Sequence, residues 1–142
     1  MILKSYLIEN NIRAIIDYDF VLFYGENIGL KDDLKKKINQ LFKDTELINL
    51  YQEDFNKNKE VLINEYKNNS LFAKEKTIIV NQTNENLLTD LKYLLENKQS
   101  TKIILFANLL EKKSKIRSFF EKEKNIAIIP CYNDNEITLK NY

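Results

Sequence analysis

The sequence predicts an α/β domain, a five-stranded parallel sheet flanked by helices. Five short apolar or β-branched runs alternate with stretches of helical periodicity, and only two glycines and one proline punctuate the 142 residues. So few turn formers argue against tight hairpins and for the helical crossovers that join parallel strands. With 44% hydrophobic residues, a chain of this length can enclose a full core, and one domain is expected.

Taken in order, Ile2, Leu3, Tyr6, Leu7 and Ile8 approach helical spacing and predict a short helix before the Asn10-Asn11 break. Phe20-Val21-Leu22-Phe23-Tyr24 is a continuous apolar run, as expected for a central strand buried on both faces, and Gly25 ends it. Leu30, Leu34, Ile38, Leu41 and Phe42 mark the stripe of the next helix, with Asn27 placed to cap its start. Residues 47–51 read as a second strand, followed by a helix carrying Val61, Leu62 and Tyr66. Residues 77–80 form a third strand, and Leu87, Leu88, Leu91, Leu94 and Leu95 line an amphipathic helix. A buried-type strand over 102–107 precedes a helix faced by Ile116, Phe119 and Phe120, and 126–129 is the last strand. Past Pro130, Asn133 and Glu136 make a capping-box pair for a further helix. Residues 1–132 are therefore expected to form the domain, and 133–142 to begin a following helical domain, truncated at Tyr142.

Composition removes several function classes. Lysine plus arginine number 22 against 21 acidic residues, so no strong field draws in nucleic acid or an acidic membrane, and any DNA involvement is expected to be indirect. Histidine and tryptophan are absent, which excludes imidazole catalysis and His-ligated zinc. The lone Cys131 rules out an internal disulfide and fits a reducing cytoplasm, where it packs as a small hydrophobe. No signal peptide or membrane-length apolar run is present.

Function in an open parallel sheet is expected at the carboxyl ends of the strands. After the first strand comes Gly25-Glu26-Asn27-Ile28-Gly29-Leu30-Lys31-Asp32, at the place of a P-loop. In G-x-x-x-x-G-K-[ST], backbone amides cradle phosphates, the lysine neutralises them and the hydroxyl holds magnesium. Here the glycines stand one residue too close, Leu30 separates Gly29 from Lys31, and Asp32 replaces the hydroxyl. Gly25, Glu26, Gly29 and Lys31 thus read as a vestigial nucleotide site. After the third strand stand Asn81 and Gln82, where an NTPase needs acidic residues. Only Glu26 is placed to bind a metal, so no catalytic residue, metal site or cofactor is expected. The basic stretches 35–37 and 112–117 read as solvated helix faces. Asn108 reads as a turn residue or a leftover nucleotide contact.

The remaining candidate is Ser70-Leu71-Phe72-Ala73, at the joint between a helix and the third strand. Apolar pairs mostly belong to the core, but Asn68-Asn69 before the motif and Lys74-Glu75-Lys76 after it suggest an exposed tip.

Three stretches carry a family resemblance: Phe23-Tyr24-Gly25-Glu26 with Gly29-Leu30, then Ser70-Leu71-Phe72-Ala73, then 103–107 leading to Lys113-Ser114-Lys115. In this order they resemble the N-terminal domain of the delta subunit of bacterial DNA polymerase III, a clamp-loader subunit. The resemblance implies a degenerate AAA+-type domain without ATP hydrolysis, in a subunit that binds and opens the sliding clamp, the beta subunit. It assigns clamp binding to Leu71 and Phe72, flanked by Ser70 and Ala73, and assembly with other loader subunits to regions beyond Tyr142. The parent holoenzyme it implies is a DNA-directed DNA polymerase. On the residues alone, a cryptic nucleotide-binding enzyme domain and a structural α/β scaffold stay open.

Overall fold

The computed structural model describes residues 1–68 and 75–132. Five parallel strands, β1 (Phe20–Tyr24), β2 (Glu46–Leu50), β3 (Lys76–Val80), β4 (Lys102–Phe106) and β5 (Ile126–Pro130), lie in the order β2-β3-β4-β1-β5. All strand connections are crossovers, as the scarcity of turn residues requires. The middle position belongs to β4, so β1 is an interior strand and not the central one. Both neighbours of β1 run in register with it, Val21 facing Ile104 and Ala127, and all five of its side chains are buried.

Alternation along β1 divides the core. Phe20, Leu22 and Tyr24 pack with Leu62 and Tyr66 of α4 (Val61–Lys67), Leu91 and Leu94 of α5 (Leu88–Glu96), and Ile116 and Phe120 of α6 (Lys115–Lys122). Val21 and Phe23 face the opposite layer, with Ile8 of α1 (Ser5–Asn10) and Leu34 and Ile38 of α2 (Ile28–Leu41). Two helical layers therefore sandwich the sheet, and the run of five apolar residues in β1 follows from burial on both sides.

The structure departs from the sequence reading in other places too. The first helix begins only at Ser5, because Ile2 bridges Ile128 in parallel at the β5 edge. A 3-10 turn at Ile12–Asp17 buries Ile15, and α3 (Gln52–Lys57) precedes α4 as a separate piece, Phe55 packing on the core. Arg117 is not part of a solvated face: it pairs with Glu121 at 3.2 Å, donates to the Leu110 carbonyl at 2.9 Å and lies 5.2 Å from the Tyr24 ring centre. The expected helical domain at 133–142 lies outside the described residues.

Candidate functional site

The path across the sheet reverses between β1 and β4. After β1 the chain crosses to β2, whereas after β4 it passes β1 to reach β5. The carboxyl ends of these neighbouring strands flank the crevice where open α/β sheets bind ligands.

Gly25 leaves β1 with φ +128°, a conformation that L side chains disfavour. The chain leaving β5 runs directly against it, so that a Cβ on Gly25 would stand 2.2 Å from the Cys131 carbonyl oxygen. That approach is held by backbone bonds: the Cys131 N–H donates to the Tyr24 carbonyl at 2.6 Å, and the Asn27 N–H donates to the Cys131 carbonyl at 3.0 Å. On the other side, the Gly25 N–H donates to the Asn108 carbonyl at 3.3 Å. Asn27 Oδ1 accepts from the Leu30 N–H at 3.0 Å and caps α2, while its Nδ2 donates to the Tyr132 carbonyl at 3.1 Å. The Gly25 and Asn27 amides of this loop are thus engaged by the protein's own acceptors.

Lys31 completes this pattern. Its position three and seven residues before Leu34 and Ile38 puts it on the inward face of α2, where it is 8% exposed. Its Nζ donates to the Ala107 carbonyl, at the end of β4, at 3.0 Å. Burial lowers its pKa from the usual lysine value, and the Lys35 charge acts in the same direction. Cys131 is fully buried alongside, and burial pushes its thiol up to about 12. Gly29, by contrast, has room: a Cβ there would meet nothing nearer than Asn27 Oδ1 at 3.7 Å. Glu26 is half-buried, and its Oε1 has no hydrogen-bond partner among the described residues.

Beside this cradle an open cleft of about 360 Å³ is lined by Lys31, Asp32, Lys35, Asn81, Gln82 and Asn108, among others. Asn81 ties strand ends together, its Nδ2 donating to the Leu50 carbonyl at 3.2 Å and to Asn49 Oδ1 at 3.3 Å. No cluster of three carboxylate or thiol groups suited to a metal occurs among the described residues. Lys31 and Asn81 both serve here as ties to strand-end carbonyls.

Ser70, Leu71, Phe72 and Ala73 lie outside the described residues. One residue of the polar flank read as marking an exposed tip is instead buried. Lys76, the first residue of β3, is 5% exposed. Its Nζ donates to the Glu65 carbonyl at 2.6 Å and the Asn68 carbonyl at 3.4 Å, and pairs with Glu65 Oε2 at 3.1 Å. The only available sequence signal was a charged residue opening a buried strand.

Topology and crevice together define a parallel α/β domain in which the loop after β1 is held by the chain's own backbone. The family model for the DNA polymerase III delta subunit matches residues 21–131. The match covers more than half of the chain, and the chain belongs to this family. Among solved structures it is similar to the Bacillus subtilis DNA clamp loader delta protein, at 13% identity and a TM-score of 0.68, over 96% of this chain and 45% of that one. The likeness establishes the fold, and the chain spans less than half the length of that relative. A structure of Drosophila ORC bound to DNA aligns at 13% identity over 96% of this chain and 30% of that one, but its TM-score of 0.48 carries no argument. No curated protein matches the sequence.

Proposed function

We propose that the chain is the clamp-binding domain of a clamp-loader delta subunit, gripping the sliding clamp through Leu71 and Phe72 and helping to open the ring during DNA replication in the cytoplasm. The observation that carries this reading, beside family membership, is the closed cradle. Lys31 and the amides of Gly25 and Asn27 donate to carbonyls of the chain itself, so the crevice favours a scaffold role over hydrolysis. The action of the domain is then placed at its other distinctive stretch.

Leu71 and Phe72, flanked by Ser70 and Ala73, enter an apolar pocket on the clamp. Two such side chains contribute about 1.5–3 kcal/mol each when fully buried, enough for a hot spot within a wider interface. If the opened ring accepts the pair better than the closed one, the difference in affinity drives opening. Residues 1–132 form the binding domain, 133–142 begin a following helical domain, and contacts with the other loader subunits fall to regions beyond Tyr142. DNA is met only through the clamp.

Co-migration of this chain with the sliding clamp in gel filtration tests the reading. A complex formed by wild type and lost in a folded Leu71→Ala/Phe72→Ala variant supports it. A nucleotide titration addresses the alternative: saturable ATP binding with hydrolysis would replace this reading by a cryptic nucleotide enzyme. Neither clamp nor nucleotide binding would leave a structural scaffold.

A further inference from the structure

Helices α5 and α6 lie in the same layer of the sandwich and leave an open groove of about 550 Å³ between them. Leu91 and Leu94 of α5 and Ile116 and Phe120 of α6 point at the sheet and are buried. The neighbouring face of each helix, again at helical spacing, lines the groove: Leu88, Lys92 and Leu95 from α5, and Lys115, Phe119 and Lys122 from α6.

The floor of this groove is apolar. Leu95 and Phe119 are half-buried, each packing on the core from one side, and the Phe119 ring stands edge-on to that of Phe120 at 5.7 Å between centres. The rim is charged, with its two signs set apart. Both helices return between parallel strands and so run in the same direction. Lys113 and Lys115 stand at the amino end of α6 and Lys92 midway along α5, whereas Glu96 and Glu123 stand at the carboxyl ends, beside Lys122. Lys113 pairs with Glu111 at 3.5 Å, but Lys92, Lys115 and Lys122 have no ion pair among the described residues. Glu85, at the amino end of α6, is occupied by the Ser114 hydroxyl and, at 3.1 Å, by the Ile116 N–H. Positive charge at that end is therefore left largely without an internal partner.

We propose that the groove between α5 and α6 docks an amphipathic helix of a partner protein, its apolar stripe on Leu95 and Phe119 and its acidic residues against Lys92, Lys113 and Lys115. Helix-in-groove recognition needs this combination of an apolar floor and a complementary rim. A nucleic-acid backbone matches it less well, because phosphates following the groove would meet Glu96 and Glu123 and leave the apolar floor uncovered. A second copy of the chain also matches poorly, since a two-fold contact would bring two lysine-rich rims together. The groove shares no residue with the Leu71-Phe72 pair and stands whether or not the chain grips a clamp.

The test is fluorescence anisotropy of a labelled synthetic helix of about four turns, with a leucine stripe flanked by glutamates, titrated with the whole chain. Wild type should bind it at least about tenfold more tightly than the same peptide with lysines in place of the glutamates. Replacing the peptide's leucines by serine should cost about tenfold as well, which probes the floor without disturbing the chain's own packing. Lys92→Glu/Lys115→Glu alters two exposed side chains; it should weaken the glutamate peptide about tenfold and strengthen the lysine peptide. Amide shifts caused by the glutamate peptide should gather at residues 88–96 and 113–123. Equal binding of the two peptides, no binding at about 1 mM, no effect of the double charge reversal, or shifts gathered elsewhere would each overturn the proposal. Tighter binding of an oligonucleotide at the same residues, or self-association of the free chain that the charge reversal abolishes, would overturn it in favour of those occupants.

Discussion

Replacing Gly25 by alanine probes whether the crevice is closed by the chain itself. At φ +128° a side chain costs about 1–3 kcal/mol in backbone strain. The added Cβ would lie 2.2 Å from the oxygen and 2.7 Å from the carbon of the Cys131 carbonyl, so the segment after β5 must move. That segment is held by Tyr24 at 2.6 Å and by Asn27 at 3.0 Å, and overpacking of this kind costs about another 1–3 kcal/mol. Together the loss is about 2–6 kcal/mol, a large part of the ~5–15 kcal/mol that holds a domain folded. Urea unfolding followed by circular dichroism measures it as a fall in midpoint at constant slope. Gly29→Ala is the internal control, because its Cβ meets only Asn27 Oδ1 at 3.7 Å and gains up to ~1 kcal/mol from helix propensity. A loss below about 1 kcal/mol for Gly25→Ala would refute the close approach, since that change is no more than an ordinary surface substitution brings.

Three further outcomes are expected. Lys31→Met should change stability at pH 7 by no more than about 1 kcal/mol, because the lost bond to Ala107 is offset by relief of the desolvated charge. The folded-state pKa of Lys31 is lowered, so the unfolded chain holds the proton more tightly and wild type should gain stability relative to Lys31→Met as pH rises toward the usual lysine pKa; unfolding midpoints at pH 7.5 and 10 check the sign. Cys131, fully buried with its thiol pushed up to about 12, should resist a thiol reagent at pH 8 until urea unfolds the chain, as absorbance of the released chromophore would show. Arg117→Ala should cost about 1–3 kcal/mol in thermal or urea unfolding, through the lost carbonyl bond, Glu121 pair and Tyr24 stacking.

Most of the architecture was legible because hydrophobic period carries it. The unbroken run at Phe20 to Tyr24 declared a strand covered on both faces, and the Leu34–Ile38 spacing declared a helix over it. Asn27 was recognisable as a cap, and its side chain does accept from Leu30. Strand order was not legible, since nothing in β4 or β1 marks which lies in the middle; that follows from long-range pairing. The loop after β1 was readable as a departure from the P-loop pattern, but what packs against it was not. Cys131 approaches Gly25 through its backbone, which no side-chain pattern encodes. Lys31 did carry a signal, its helical spacing to Leu34 and Ile38, that placed it inward. Lys76 carried little, because a strand-opening lysine usually reaches water and its burial depends on where α4 ends.

The clamp grip is tested most directly by calorimetric titration of the sliding clamp with wild type and the folded Leu71→Ala/Phe72→Ala variant. Two hot-spot side chains together should be worth about 3 kcal/mol or more, so the variant should bind roughly 100-fold more weakly or not at all. Equal binding by the two proteins, or no heat from wild type at all, would contradict the assignment of Leu71 and Phe72 as the contact.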